Sequence, residues 1–211
     1  MLKLLLPLAL VLFTTDANAR PGDPNRGRRH DAGSFFMRLS GGLGFSGATF
    51  DDAPDTKFRG AGGMGSFEFG ATIAPNIALG VDLFGLSMVE PSVEQNGRDL
   101  GEADNTRASL GAIGLGGTFY VMPANIYFAA SAGLGVGTVE VEVREGPFQL
   151  RFKEDTKVGF AANLMFGKEW WVSRRWGIGL ALQGIWSSLE TDEGTKMGVF
   201  GVGVLFSATM N

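Results

Sequence analysis

Few residues in this 211-residue chain could do chemistry. There is one histidine, His30, and no cysteine. Disulfides and thiolate-bound metals are therefore excluded. A Ser-His-Asp hydrolase needs an imidazole within hydrogen-bond reach of its nucleophile on a rigid scaffold. His30 lies instead in a polar, basic segment rich in Pro and Gly (20–33), which reads as a disordered leader. No catalytic residue is assigned, and a non-enzymatic protein is expected. Gly42, Gly44 and Gly47 complete a G-x-G-x-x-G string, but Ala48-Thr49-Phe50-Asp51-Asp52 follows it. Without a helix there, no dipole can meet a pyrophosphate. Carboxylates cluster at Asp51, Asp52 and Asp55 and again from Asp99 to Asp104, but neither cluster has the regular ligand spacing of a calcium loop. No metal and no cofactor is expected.

Three charges remain, Arg38, Glu68 and Asp82, set inside otherwise apolar stretches. What holds them there is an alternation with a period of two, which is a strand signal. In 34–50, Phe35, Met37, Leu39, Leu43 and Phe45 share one face, and Arg38, Ser40, Gly42, Gly44 and Ser46 share the other. The same split recurs in 59–73, 77–88, 106–122, 126–144, 156–172, 176–189 and 196–209. In 126–144, Ile126, Phe128, Ala130, Leu134 and Val136 oppose Tyr127, Ala129, Ser131, Gly133 and Gly135. Eight strands are predicted. Three connections are tight, at Ala74-Pro75-Asn76, Pro123-Ala124-Asn125 and Ser173-Arg174-Arg175; the others are long and acidic. Such asymmetry predicts an all-β, eight-stranded antiparallel up-and-down transmembrane barrel, with turns on one side of a bilayer and loops on the other.

The ends agree. Met1-Leu2-Lys3, the apolar run from Leu4 to Phe13 and Ala17-Asn18-Ala19 form a signal-peptide pattern. The run is too short to cross a bilayer as a helix, which takes ~20 residues. The predicted organisation is a signal peptide at 1–19, a disordered basic leader at 20–33 and a barrel at 34–211. Net charge is −4, which is not the basic balance of a nucleic-acid binder. Glycine supplies 33 residues and lies inside the strands, where ordinary sheets avoid it. A narrow closed barrel gives those glycines a place at bends and crowded inner positions.

Lipid rather than water is predicted outside. The polar face holds Gly, Ala and Ser with sparse Arg38, Glu68, Asp82, Asn163 and Gln183, too small a set to be a solvated surface. The opposite face is aliphatic and aromatic, as lipid contact requires. Tyr120, Tyr127, Trp170, Trp171 and Trp176 gather at two tight turns and are predicted to form an interfacial aromatic girdle. Inward charges must be paired or hydrated. Arg38, Glu68 and Asp82 are thus predicted to form a lumen charge network, either plain structural pairing or a plug that gates the lumen. Most of the 22 acids lie in or beside the long connections. Glu140 and Glu142 continue a lipid-facing register, so their strand is predicted to leave the membrane as a projecting ribbon.

On these features the chain resembles the small eight-stranded outer-membrane barrels of Gram-negative bacteria, the OmpA-barrel and OmpX type. The resemblance rests on architecture, namely the Ala17-Asn18-Ala19 signal, the Pro-Asn turns, the girdle and the strand count. It departs from that type in its last residues, where Phe206 rather than a terminal aromatic would have to be read during insertion. The resemblance implies an outer-membrane location in the cell envelope, contact with outer-membrane lipid and lipopolysaccharide, and handling by the barrel-assembly machinery. Two roles are open. One is a structural or surface-interaction barrel acting through acidic extracellular loops on a partner of unknown identity. The other is a narrow, porin-like pore or small-ligand conduit through the lumen.

Overall fold

Alternation of large apolar and small polar residues builds one continuous wall. The structure, a computed structural model, describes residues 30–51, 56–103, 105–145, 148–173 and 175–210. The segments predicted as signal peptide (1–19) and leader, the latter as far as residue 29, and Asp52, Asp55, Asp104 and Arg174 lie outside the described residues. The elements are β1 (Phe35–Phe50), β2 (Thr56–Ala74), β3 (Ile77–Val89), β4 (Ser92–Gln95), β5 (Arg98–Glu102), β6 (Thr106–Val121), β7 (Ile126–Glu145), β8 (Phe148–Asp155), β9 (Lys157–Trp171), β10 (Trp176–Glu190) and β11 (Lys196–Met210). Neighbours run β1-β11-β10-β9-β7-β6-β3-β2, and β1 also pairs with β2, so eight strands close into an antiparallel barrel. The closing seam is long, from Met37↔Met210 to Phe50↔Met197. Closure leaves no backbone edge unsatisfied in hydrocarbon.

The wall has two unlike faces. Leu43 is 77% exposed, and Leu39, Phe45, Leu115, Leu164, Val204 and Phe206 also stand on the outer surface. Arg38, Ser40, Glu68, Asp82, Asn163 and Gln183 are buried inside. A band of exposed apolar side chains this broad on a soluble protein would drive aggregation. Against lipid tails it is the expected surface. The turns on one end are tight because Asn76 and Asn125 take left-handed conformations, φ 65° and 51°, which Asn tolerates better than most residues.

At the other end the chain is more ordered than a set of loops. β4 and β5 form a hairpin on Asn96-Gly97, with φ of 51° and 74°. Asn-Gly is the favoured pair where both turn residues need positive φ. From sequence this stretch is expected to be an acidic loop, since only four and five residues flank the turn. β7 pairs with β9 from Ile126 to Gly135 and with β8 from Thr138 to Glu145. That ribbon extends past the barrel, as the register of Glu140 and Glu142 requires. Ion pairs cross the rim, Lys157–Glu190 at 2.7 Å, Lys153–Asp155 at 3.1 Å and Arg59–Glu94 at 3.9 Å. The rim is therefore acid–base mixed, less acidic than a count of its carboxylates suggests.

Candidate functional site in the barrel lumen

The lumen is filled in levels. At the tight-turn end lies an aromatic floor made by strand parity. Phe119 and Val121 face lipid, so Tyr120 between them must face in. Tyr120 pairs in register with Tyr127, their rings 5.7 Å apart. Phe36 meets Tyr120 edge-on at 6.4 Å. Tyr120 and Tyr127 are 1% and 0% exposed, which corrects their assignment to the interfacial girdle. Their position near a turn suggested the interface, but alternation overrides position. Trp171 has the same inward parity and stands half-buried, its ring 5.2 Å from that of His30. Trp176 is exposed on the outer face, while Trp170 is half-buried with the Lys168 ammonium 5.8 Å from its ring centroid.

His30 requires a second correction. It is fully buried, not part of a solvated leader. Its ring stacks on Tyr120 at 3.5 Å, and its Nε2 lies 3.2 Å from Asn125 Oδ1. The Asn76 amide donates to the His30 carbonyl, and the Gly33 amide donates to Thr72. Residues 30–33 thus cap the tight-turn mouth. No periodic pattern marks them, so nothing in the chain signalled this docking.

Above the aromatic floor sits the charge network. The Arg38 guanidinium donates to Glu68 and, at 2.9 Å, to the Thr118 hydroxyl. Thr118 also lies 3.0 Å and 3.2 Å from the two Glu68 carboxylate oxygens. The guanidinium carbon lies 4.3 Å from the Tyr127 ring centre, a cation–π geometry. Arg38 and Glu68 are register partners on β1 and β2, so the backbone brings them face to face. Asp82 is the next partner along the same row, on β3. It does not join the pair. Its carboxylate accepts from Ser131 at 2.5 Å and Asn163 at 2.9 Å, and Asn163 accepts from Gln183 at 3.0 Å. Asp82 is followed in its row by Gly114 and Gly133, which leave open the space across which it reaches β7 and β9. The expected three-charge network is thus two networks. Glu169 forms a third polar cluster, accepting from Thr209 at 2.5 Å and Tyr120 at 3.5 Å.

Thr118, Ser131, Thr209 and Glu169 were not assigned to a site from sequence. Their inward parity was readable, but which of them share a level depends on strand stagger. Towards the loop end the lumen turns apolar, with Met64, Phe84, Leu86, Met88, Leu110, Ile185, Leu189, Met197 and Val199 all buried. Among the described residues no three His, Asp or Glu side chains converge as a metal site would require.

A closed antiparallel barrel with a lipid-compatible wall and a packed polar interior defines a small integral outer-membrane β-barrel. No family model and no curated protein matches the chain. Its fold is similar to that of Ail, the attachment invasion locus protein of Yersinia pestis, at 9% identity and a TM-score of 0.42 over 81% of this chain and 97% of that one. It is likewise similar to Neisserial surface protein A, at 12% identity and TM-score 0.45 over 81% and 95% of the two chains. The outer membrane protein OprG of Pseudomonas aeruginosa gives 15% identity and TM-score 0.42 over 86% and 98%. At these identities the likeness is one of barrel architecture. The fold is that of a membrane-spanning β-barrel.

Proposed function

We propose that this is a non-enzymatic, non-conducting barrel whose role is structural or interactive and is exercised at its outer rim. One observation carries the reading. Phe36, Arg38, Tyr120, Tyr127 and His30 are each at most 1% exposed, and together they close the tight-turn end of the lumen. A barrel of eight strands has an interior just wide enough for side chains to fill. Here large side chains fill it, which weighs against the pore. Catalysis has little support at the one imidazole, since His30 is sealed from solvent and its Nε2 faces the Asn125 amide oxygen, not a serine or carboxylate. The working surface would be the β4–β5 hairpin and the β7–β8 ribbon, which project where lipopolysaccharide or an extracellular partner can be met. Membrane lipid and the assembly machinery are the partners the fold itself calls for. Planar-bilayer recording and liposome swelling on the full mature chain test the reading. Silence is expected in both, and a steady single-channel conductance or sugar-driven swelling refutes it.

A further inference from the structure

The closed floor leaves a separate cavity at the loop end of the lumen. Its volume is about 350 Å³. Ligand pockets begin at roughly 300 Å³, enough for one small molecule. Its deep wall is apolar, made by Leu86, Met88, Leu110, Met197 and Val199, and Phe50 and Phe58 stand beside these as an edge-on pair with rings 5.7 Å apart. Three exposed acidic residues, Glu154, Asp155 and Glu193, complete its lining on the solvent side. No lysine or arginine lines it among the described residues. Asp155 is already paired with Lys153 and hydrogen-bonded by Thr138, whereas Glu154 and Glu193 have no ion-pair partner among the described residues. Glu154 is the register partner of Val139, which also lines the cavity, so it stands on the strand face that continues the lumen.

We propose that this cavity is a binding site, open to the external medium, for a small amphiphilic cation with an apolar or aromatic body and an ammonium head. The body would displace poorly held water from the Met88–Met197 wall, a favourable exchange for apolar surface. The head would remain at the mouth between Glu154 and Glu193, where it keeps part of its hydration and meets two carboxylates. Phe50 and Phe58 offer ring faces of the kind that attract ammonium groups. An anion of the same shape would face those carboxylates with no lysine or arginine in the described lining to offset the repulsion.

Benzyltrimethylammonium, its neutral isostere neopentylbenzene and the anion phenylmethanesulfonate make the test. The full mature chain, labelled at its methionine methyls with carbon-13, is held in phosphatidylcholine nanodiscs and titrated with each compound. Met88 and Met197 report on the cavity, and Met37, on the lipid-facing parity of β1, reports on partition into lipid. The cation is expected to shift Met88 and Met197 saturably, at least about tenfold more tightly than the sulfonate. A Glu154→Gln/Glu193→Gln variant, altered only at exposed side chains, is expected to lose that preference while still binding neopentylbenzene. Filling the cavity by Ala108→Trp is expected to abolish the Met88 and Met197 shifts for all three compounds. Equal affinity for the three, shifts confined to Met37, or a preference unchanged in the double variant would each overturn the proposal. None of these outcomes depends on whether the barrel conducts.

Discussion

Removing Arg38 alone tests whether the lumen is the dry, packed plug on which the functional reading depends. Arg38 is 1% exposed and Glu68 is 3% exposed. In Arg38→Met the carboxylate of Glu68 loses its cation but keeps its burial, retaining only the Thr118 hydroxyl as partner. Breaking one side of a buried ion pair costs about 3–5 kcal/mol. The Tyr127 ring, 4.3 Å from the guanidinium, adds ~1–2 kcal/mol of lost cation–π attraction in a desolvated site. Arg38→Met should therefore destabilise the barrel by about 4–7 kcal/mol. Glu68→Gln strands the guanidinium and should cost about 3–5 kcal/mol. The double variant Arg38→Met/Glu68→Gln leaves no buried charge at the pair, and the new side-chain amide still meets Thr118. It should fall within ~2 kcal/mol of the native chain, since neutral replacement of a buried pair is often nearly free. Non-additivity of this size is expected for residues in direct contact. Urea titration in phosphatidylcholine vesicles, followed by tryptophan emission, measures all four corners of the cycle. A loss below about 1 kcal/mol for Arg38→Met alone would show a guanidinium already paired with water, and the closed-lumen reading would fall with it.

Three further outcomes are expected. Gly70→Ala would place a Cβ 2.0 Å from the Leu79 carbonyl oxygen and 2.5 Å from the Gly80 Cα, backbone atoms that cannot yield cheaply. It should cost several kcal/mol or block folding, whereas Gly184→Ala, with nothing within 4 Å, should stay within about 0.5 kcal/mol; heat-modified gel mobility and urea midpoints would separate them. His30→Ala removes the ring stacked on Tyr120 and should cost ~0.5–1.5 kcal/mol. It should also make the chain near Gly33 more sensitive to protease added to the tight-turn side, and unchanged cleavage would count against the capping role. At the rim, the Thr138 hydroxyl and Lys153 hold the Asp155 carboxyl below the usual carboxylate range, and Lys157 does the same for Glu190. A lowered folded pKa contributes stability above the ordinary carboxylate range, of about pH 4, and loses it as pH falls through the lowered value. Amide protection factors, taken relative to the intrinsic exchange rate at each pH, should accordingly fall at the base of the β7–β8 ribbon below about pH 4 while the membrane-embedded strands stay protected. Equal protection factors there at pH 6 and pH 3 would refute this assignment.

Local pattern was enough for much of this molecule. A side-chain period of two fixes which residues of a strand share a face, whatever the strand pairs with. Leu39, Leu43, Leu115 and Phe206 could therefore be assigned to lipid, and Arg38, Glu68 and Asp82 to the interior, from the chain alone. The same rule sets Tyr127 opposite Phe128, and alternation, not nearness to the turn, decides that Tyr120 and Tyr127 point inward and not into an interfacial girdle. Asn96-Gly97 carried a hairpin signal as strong as any in the sequence, masked by the acids around it.

What no local pattern could supply came from assembly. Parity is a property of a single strand, whereas level is a property of eight strands staggered together. Only the assembled register puts Thr118 beside the Arg38–Glu68 pair, turns Asp82 towards Ser131 and Asn163, and gathers Met88, Leu110 and Met197 around an apolar hollow under a carboxylate rim. Only closure creates a mouth of the right width for His30 to stack on Tyr120. Order along the chain settles what the wall shows to lipid; closing the wall settles which side chains meet within it.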